Sequence, residues 1–390
     1  MHKAACGIFD SCHCIEVFDI INWPNASIPS GSRRFTLPAE HDSRNIYPEY
    51  GEYCSDLHLY AWVKSNSNLA RDILNTIDLS GSTSVTVWIE YPWLIHLAAN
   101  IKQILSTEYN LNPKQIYSSA NIEHVVYKEI IEARNREDLS GLPPLVQKVE
   151  KLAISSSDFL LVCSQADKDA IYYSHNRDSL LVPNGVSRTQ YSLSKVAASP
   201  LFAVLSNTKY LFYAASDWPP NTDNIQEYLG KSLGFIPPDC RLIVAGGASR
   251  VFSELYIGEA SCFTSLNQSR LHVLGNLNVD DFSAAHTLAY GYFLPVGYGG
   301  GTCLKTAEAI YSNKCLVASP AALRGYSKYE AKLKNIIRAQ DCEQFRSAIQ
   351  SIFNKQYKPL IPTEGKLRLL EELTWETIIL NLVNRLAREF

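Results

Sequence analysis

Pro295-Val-Gly-Tyr-Gly-Gly-Gly-Thr-Cys-Leu-Lys-Thr-Ala-Glu-Ala-Ile-Tyr311 is the stretch on which the reading of this chain turns. The apolar residues Phe293, Leu294, Pro295 and Val296 read as a strand end, which opens into Gly297, Gly299, Gly300 and Gly301. A helical pattern follows from Thr302, with Leu304, Ala307, Glu308 and Tyr311 spaced by three or four. Glycines ahead of a helix start let the backbone approach a ligand and leave N–H groups pointing outward, with the positive end of the helix dipole behind them. Lys305, one turn in, adds a formal positive charge. Glu308, a turn further on the same face, can accept from vicinal hydroxyls such as those of a ribose. A phosphate cradle followed by a ribose acceptor describes a nucleoside diphosphate site. A glycine-rich turn that merely ends a strand is the plain alternative.

The rest of the chain bounds this reading. At 390 residues it is too long for one ordinary core, and two domains of roughly 180–200 residues are expected. Hydrophobic content of 46% and charged content of 19% describe a globular chain. A net charge of −3 gives no general attraction to nucleic acid or anionic lipid, so no nucleic-acid partner is expected. The ten cysteines are scattered: Cys12 and Cys14 form a C-x-C with no second half spaced for zinc, and no C-x-x-C occurs. Reduced thiols in a cytosolic protein fit better than a disulfide framework. Lys3, Asp10, Glu16 and Asp19 interrupt any signal-peptide core in 1–21. No run reaches the roughly 18 apolar residues that a bilayer crossing needs. A soluble, cytoplasmic protein is the expectation, with peripheral contact at the inner membrane face left open.

Working outward from the glycines, the same grammar repeats: strand, polar residues, helix. Residues 84–89 and 116–119 read as strands, followed by helices over 94–105 and 125–136. A helix over 143–155, a strand over 159–163 and a Ser164-capped helix follow. The alternation restarts at 210–214 and continues through 241–245, 271–274 and 315–318, with a last helical stretch over 341–353. This is a parallel α/β pattern. Residues just past strand C-termini line the ligand crevice of such sheets, and Glu90, Asn121, Glu123 and His124 stand there. Residues 22–53 read as a long irregular loop with Arg33, Arg34 and Arg44, most simply a solvated surface. Residues 187–206 lack regular pattern and read as the interdomain connection.

The ordered set Val182-Pro-Asn-Gly-Val186, Phe212 through Asp217-Trp218-x-Pro220-Asn221, Leu242-Ile-Val-Ala-Gly246, His272-Val-Leu-Gly275 with Asp281, and 295–308 resembles the retaining GT-B glycosyltransferases. That large group (glycosyl transferases group 1-like) includes bacterial polysaccharide and glycolipid hexosyltransferases, and the resemblance covers roughly 83–390. It implies an α/β fold with two Rossmann-like parallel-sheet domains facing each other across a cleft. The acceptor-binding domain would span 1–187, the linker 188–206 and the nucleotide-sugar domain 207–370. A C-terminal helix over 371–390 would return to the first domain, like the family's last helix at Leu373-Thr-Trp375-Glu376.

The resemblance further implies a nucleotide-diphosphate sugar as co-substrate, no cofactor, no metal, and a glycan or glycolipid hydroxyl as acceptor. Donor contacts would come from Ser216, Asp217, Gly246, Gly299, Gly300, Gly301, Thr302, Lys305 and Glu308, with Glu308 in the ribose-binding position. Acceptor contacts would come from Glu90, Tyr91 and Asn121, and the catalytic set would be Glu123, His124 and Lys305. The chain departs from the family's pattern at Gly300, where relatives carry a sugar-contacting glutamate. It departs again at Ala215 and Asn221, where they carry basic residues, and at Ala120, where they carry a histidine. Retention by same-face attack can proceed without a strong protein base. Asp280-Asp281 reads as a helix cap, and the linker is the expected hinge of domain closure. Two other classes fit parts of the pattern: a non-catalytic nucleotide- or glycan-binding relative, and an NAD-dependent oxidoreductase. The latter lacks a G-x-G-x-x-G after the first strand of either half.

Overall fold

The computed structural model describes residues 13, 15–18, 33–36, 49–50, 53, 55–187, 193–258, 261–354 and 364–386. The chain divides into two compact units, Met1–Val182 and Pro183–Phe390.

The first unit holds a parallel pair, β1 (Ile15–Phe18) and β2 (Arg33–Thr36), in register from Ile15 opposite Arg33. The expected loop over 22–53 therefore contains a strand carrying Arg33 and Arg34, while Arg44 lies outside the described residues. Ile15, Val17 and Phe35 pack on a cluster built from Trp62, Val63, Leu69, Ile73 and Leu97. The main sheet of the unit runs β3 (Thr86–Ile89), β4 (Lys114–Ser119), β5 (Phe159–Val162) and β6 (Leu180–Leu181), all parallel and in that order. Helices Ile95–Glu108, Glu123–Ala133, Leu142–Ser156 and Gln165–His175 fill its crossovers. In Leu142–Ser156 the buried apolar residues Leu142, Val146, Val149, Ala153 and Ile154 lie at the spacing of one helical face, with Glu150 buried among them. Ser164 caps Gln165–His175 by accepting from the Asp167 amide at 3.1 Å, as its position in the sequence implies.

The second unit is a six-stranded parallel sheet: β7 (Lys209–Ala214), β8 (Cys240–Ala245), β9 (Leu271–Gly275), β10 (Gly291–Leu294), β11 (Cys315–Ala318) and β12 (Ile336–Arg338). Their spatial order is β12-β11-β10-β7-β8-β9. The sheet is covered on both faces, so its strands read as unbroken apolar runs such as Leu-Ile-Val-Ala, and Leu211, Phe212, Leu242, Ile243, Phe293, Leu316 and Val317 are fully buried. Within 188–206 the described residues include helices Leu193–Ala198 and Leu201–Leu205, which pack on helix Val279–Leu288. The latter is capped by Asn278, whose side chain accepts from the amides of Asp280 (3.0 Å) and Asp281 (2.9 Å). The two aspartates instead occupy its first turn, where carboxylates face the positive end of the dipole. After helix Glu364–Glu371 the chain pairs with the 182–186 motif: Val186 donates to the Leu373 carbonyl at 2.7 Å and accepts from the Trp375 amide at 3.1 Å. Helix Trp375–Leu386 follows.

Candidate functional site

In the six-stranded sheet, strand order reverses between β7 and β10: the chain builds outward from β7 through β8 and β9, then returns to the other side through β10. In parallel sheets the loops at such a reversal run to opposite faces, and ligands bind in the crevice outside the strand C-termini there. The two loops here are 215–218 after β7 and 295–303 after β10, so topology delivers the glycine stretch to the place where parallel sheets hold ligands.

Several bonds lock the two loops together. Gly297 donates to the Pro220 carbonyl at 3.2 Å. Lys305 Nζ donates to Asn221 Oδ1 at 2.9 Å, and Asn221 Nδ2 in turn reaches Ser216 Oγ at 3.2 Å. Tyr213 donates to the Asn221 carbonyl at 2.8 Å, and Tyr298 donates to Asp223 at 2.6 Å. Asn184, from the 182–186 motif, donates to Thr302 Oγ1 at 2.8 Å and to its carbonyl at 3.3 Å. From the turn after β11, Arg324 donates through Nε to the Gly301 carbonyl (3.0 Å) and through Nη2 to the Gly300 carbonyl (2.7 Å).

What these bonds leave open is as telling. Helix Leu304–Tyr311 begins two residues later than expected, because Gly301 is left-handed (φ 60°) and Cys303 is extended at the N-cap. It has no side-chain cap. Among the described residues, the amides of Gly301, Thr302, Cys303, Leu304 and Lys305 donate to no protein acceptor. Helix Glu123–Ala133 in the first unit solves the same problem differently: the buried Glu150 carboxylate accepts from the amides of Glu123 (2.6 Å) and His124 (3.1 Å). One helix start carries its own anion, whereas the other presents its orphan donors beside Lys305. The Glu308 carboxylate, on the same helix, receives no hydrogen bond among the described residues, and burial pushes it up to about 7 while Lys305 pulls the other way.

Gly299, Gly300, Gly301, Thr302, Lys305 and Glu308 thus share one loop and helix start, joined to Ser216 through Asn221. Asp217 sits on the neighbouring loop with its side chain exposed beside Arg250 at 3.4 Å. Gly246 lies one strand over with its amide already donated to Gly275 (2.7 Å). Asn221 carries no charge of its own, and the Lys305 ammonium bonds its Oδ1 at 2.9 Å.

In the first unit, Glu123 (7% exposed), His124 and Asn121 gather at the end of β4. Asn121 Nδ2 donates to Glu123 at 3.3 Å, and His124 Nδ1 bonds Glu150 at 2.5 Å, with Nε2 lying 3.4 Å from Gln147. Burial first, then the Asp56 carboxylate, push Glu123 up to about 8. Glu90 and Tyr91 follow β3, where burial of its hydroxyl end and the carboxylates of Glu123 and Glu90 push the Tyr91 phenol up to about 12, although the residue keeps 45% of its surface exposed. The Ala120 position gives only a backbone carbonyl, which accepts from the Cys163 thiol at 2.9 Å. Among the described residues no cluster of three or more His, Cys, Asp or Glu side chains is set to hold a metal ion, and no helix is long and apolar enough to cross a membrane. The sequence did not single out Arg324, Asn184 or Glu150 for these roles. Asn184 stood within the 182–186 motif without a role; Arg324 offered only a polar side chain beyond a strand end, and Glu150 one on the buried face of a helix.

No family model matches the sequence, nor does any curated protein. Solved structures do match in shape. HepE of Anabaena in complex with UDP is 14% identical, over 92% of this chain and 86% of that one, with a TM-score of 0.58. WaaG, a glycosyltransferase involved in lipopolysaccharide biosynthesis, is 13% identical over 92% and 88%, with a TM-score of 0.61. Sucrose-phosphate synthase of Thermosynechococcus elongatus is 13% identical over 93% and 84%, with a TM-score of 0.58. At such identities the fold is what is shared. The chain has the GT-B fold that the resemblance of its motifs implied.

Proposed function

We propose that the chain is a glycosyltransferase that moves a sugar from a nucleotide-diphosphate donor to a hydroxyl of a glycan or glycolipid, with retention of configuration. The observation that carries this reading is the uncapped, unpaired run of amides from Gly301 to Lys305 at the strand-order reversal, flanked by the Lys305 ammonium and the Glu308 carboxyl. Charge develops on the departing diphosphate as the glycosidic bond breaks. Donors fixed beforehand around that oxygen stabilise the transition state more than the ground state. Glu308 would accept from the ribose hydroxyls. Ser216 and Asp217 border the phosphates, and Glu90, Tyr91, Asn121, Glu123 and His124 are assigned to the acceptor hydroxyl. The UDP bound in the HepE structure supports a uridine nucleotide as the first donor to try. The reading includes action in the cytoplasm without metal or cofactor, with peripheral membrane contact where the acceptor is a lipid.

The glycine at position 300 and the alanine at 120 favour a second reading, a nucleotide- or glycan-binding relative without turnover. Incubation with UDP-, GDP- and ADP-sugars labelled in the sugar, with and without EDTA, separates the two. A transferase releases nucleoside diphosphate and hydrolyses or transfers the labelled sugar, with the anomer assigned by NMR, whereas a binder only retains the donor. Absence of both binding and turnover with every donor would overturn the donor site itself.

A further inference from the structure

We propose that Arg324 is the positioning residue of this donor site: by holding two consecutive carbonyls it aims the Gly301 and Thr302 amides at the pyrophosphate. The inference rests on the donor-site reading above and adds a residue that the motifs do not contain.

A trans peptide carries its C=O and N–H on opposite edges, so fixing the carbonyl fixes where the N–H points. Arg324 holds the carbonyls of Gly300 and Gly301 with two nitrogens of one planar guanidinium, at 2.7 and 3.0 Å. Both carbonyls therefore turn towards a single point, and the amides bonded to them, those of Gly301 and Thr302, leave on the other side. Such control matters here because peptides flanked by glycine reorient at little steric cost. A loop that sampled both orientations would bind a phosphate only in the fraction of time that its N–H groups faced out.

The arginine is itself held. Its turn is tied at one end by Ser319, which donates to the Val296 carbonyl at 2.5 Å and accepts from the Ala322 amide at 3.1 Å. The Ala322 carbonyl accepts from Thr306 Oγ1 at 2.6 Å, joining the turn to the helix that starts the site. Arg71, Arg136, Arg250, Arg338 and Arg368 all pair with carboxylates. Arg324, like Arg177, Arg241, Arg270 and Arg346, instead bonds backbone carbonyls, and its charge stands half-buried behind the loop. A lysine could supply that charge but not the two-pronged grip, because an ammonium lacks the planar fork.

The test compares wild type, Arg324→Ala and Arg324→Lys by calorimetric titration with UDP, GDP and ADP, each set against its nucleoside, alongside thermal melts. Wild type is expected to bind at least one diphosphate. Both variants should bind it about tenfold or more weakly, with nucleoside affinity within about twofold of wild type and melting unchanged. Millimolar guanidinium should restore part of the loss in Arg324→Ala. Equal affinity in wild type and Arg324→Ala overturns the inference while leaving the donor site intact. So does full recovery in Arg324→Lys, which would reduce the role to charge, and so does an equal loss for diphosphate and nucleoside, which would reduce it to folding. If wild type binds no diphosphate, the donor-site reading fails and takes this inference with it.

Discussion

Glu308 is a carboxyl that burial favours neutral and a ribose would favour charged. With its folded value near 7, a substantial fraction is protonated at neutral pH. Two ribose hydroxyls donate best to the ionised form, so nucleotide binding should lower that value and release a proton. Affinity is therefore expected to rise between about pH 6 and pH 8 and then level off, with proton release read from titrations in buffers of different ionisation enthalpy. Glu308→Ala should abolish nucleotide binding with the fold intact; unchanged affinity for every diphosphate removes the ribose assignment. Glu123 offers a stability test of the opposite kind. Its folded value of about 8 lies above the ordinary 4.5, so the fold holds the proton more tightly and wild type loses stability as pH rises through that window. Relative to wild type, Glu123→Gln should gain nothing near pH 4, gain progressively to pH 8 and plateau above it, measured by urea midpoints. A flat difference across pH would show that Glu123 is solvated. Both carboxyls were legible in the sequence because each sits in a local pattern. Arg324 and Glu150 were not, since each acts on residues 23 to 27 positions away.

At the scale of elements, local chemistry set the boundaries it could reach. Ser164 caps its helix as read, and alanine there should cost about 1 kcal/mol. The helix expected from Thr302 begins at Leu304 because the left-handed Gly301 and the grip of Asn184 on Thr302 hold the preceding residues out of it. The turn after β8 makes a second demand. Gly246 has φ 78°, and a Cβ there would collide with the Ala215 carbonyl, which accepts from the Ala248 amide at 3.0 Å. Gly246→Ala should destabilise the second unit by about 1–3 kcal/mol and loosen the loop that carries Ser216 and Asp217. Denaturation and nucleotide titration together would check this; loss of binding with full stability would mean that Gly246 meets the ligand instead.

Across the whole molecule, two compact units with separate cores imply two responses to ligand. The proposed donor groups all belong to Pro183–Phe390. A nucleoside diphosphate at about one hundred times its dissociation constant should therefore stabilise that unit by about 2.7 kcal/mol. Hydrogen exchange followed peptide by peptide should show slower exchange in β7, β10 and helix Leu304–Tyr311, with little change in β3 to β6. Protection centred on the first unit would place the nucleotide elsewhere.

Taken alone, the sequence determined the α/β alternation, the two-part organisation and the glycine stretch with Lys305 and Glu308, because periodicity, capping and turn chemistry act over a few residues. Tertiary structure alone decided the rest. The order β12-β11-β10-β7-β8-β9 brings the ends of β7 and β10 side by side and sets Lys305 on Asn221, 84 residues away in the chain. Strand order is chosen by which faces bury which, a property of the whole sheet that no local window contains.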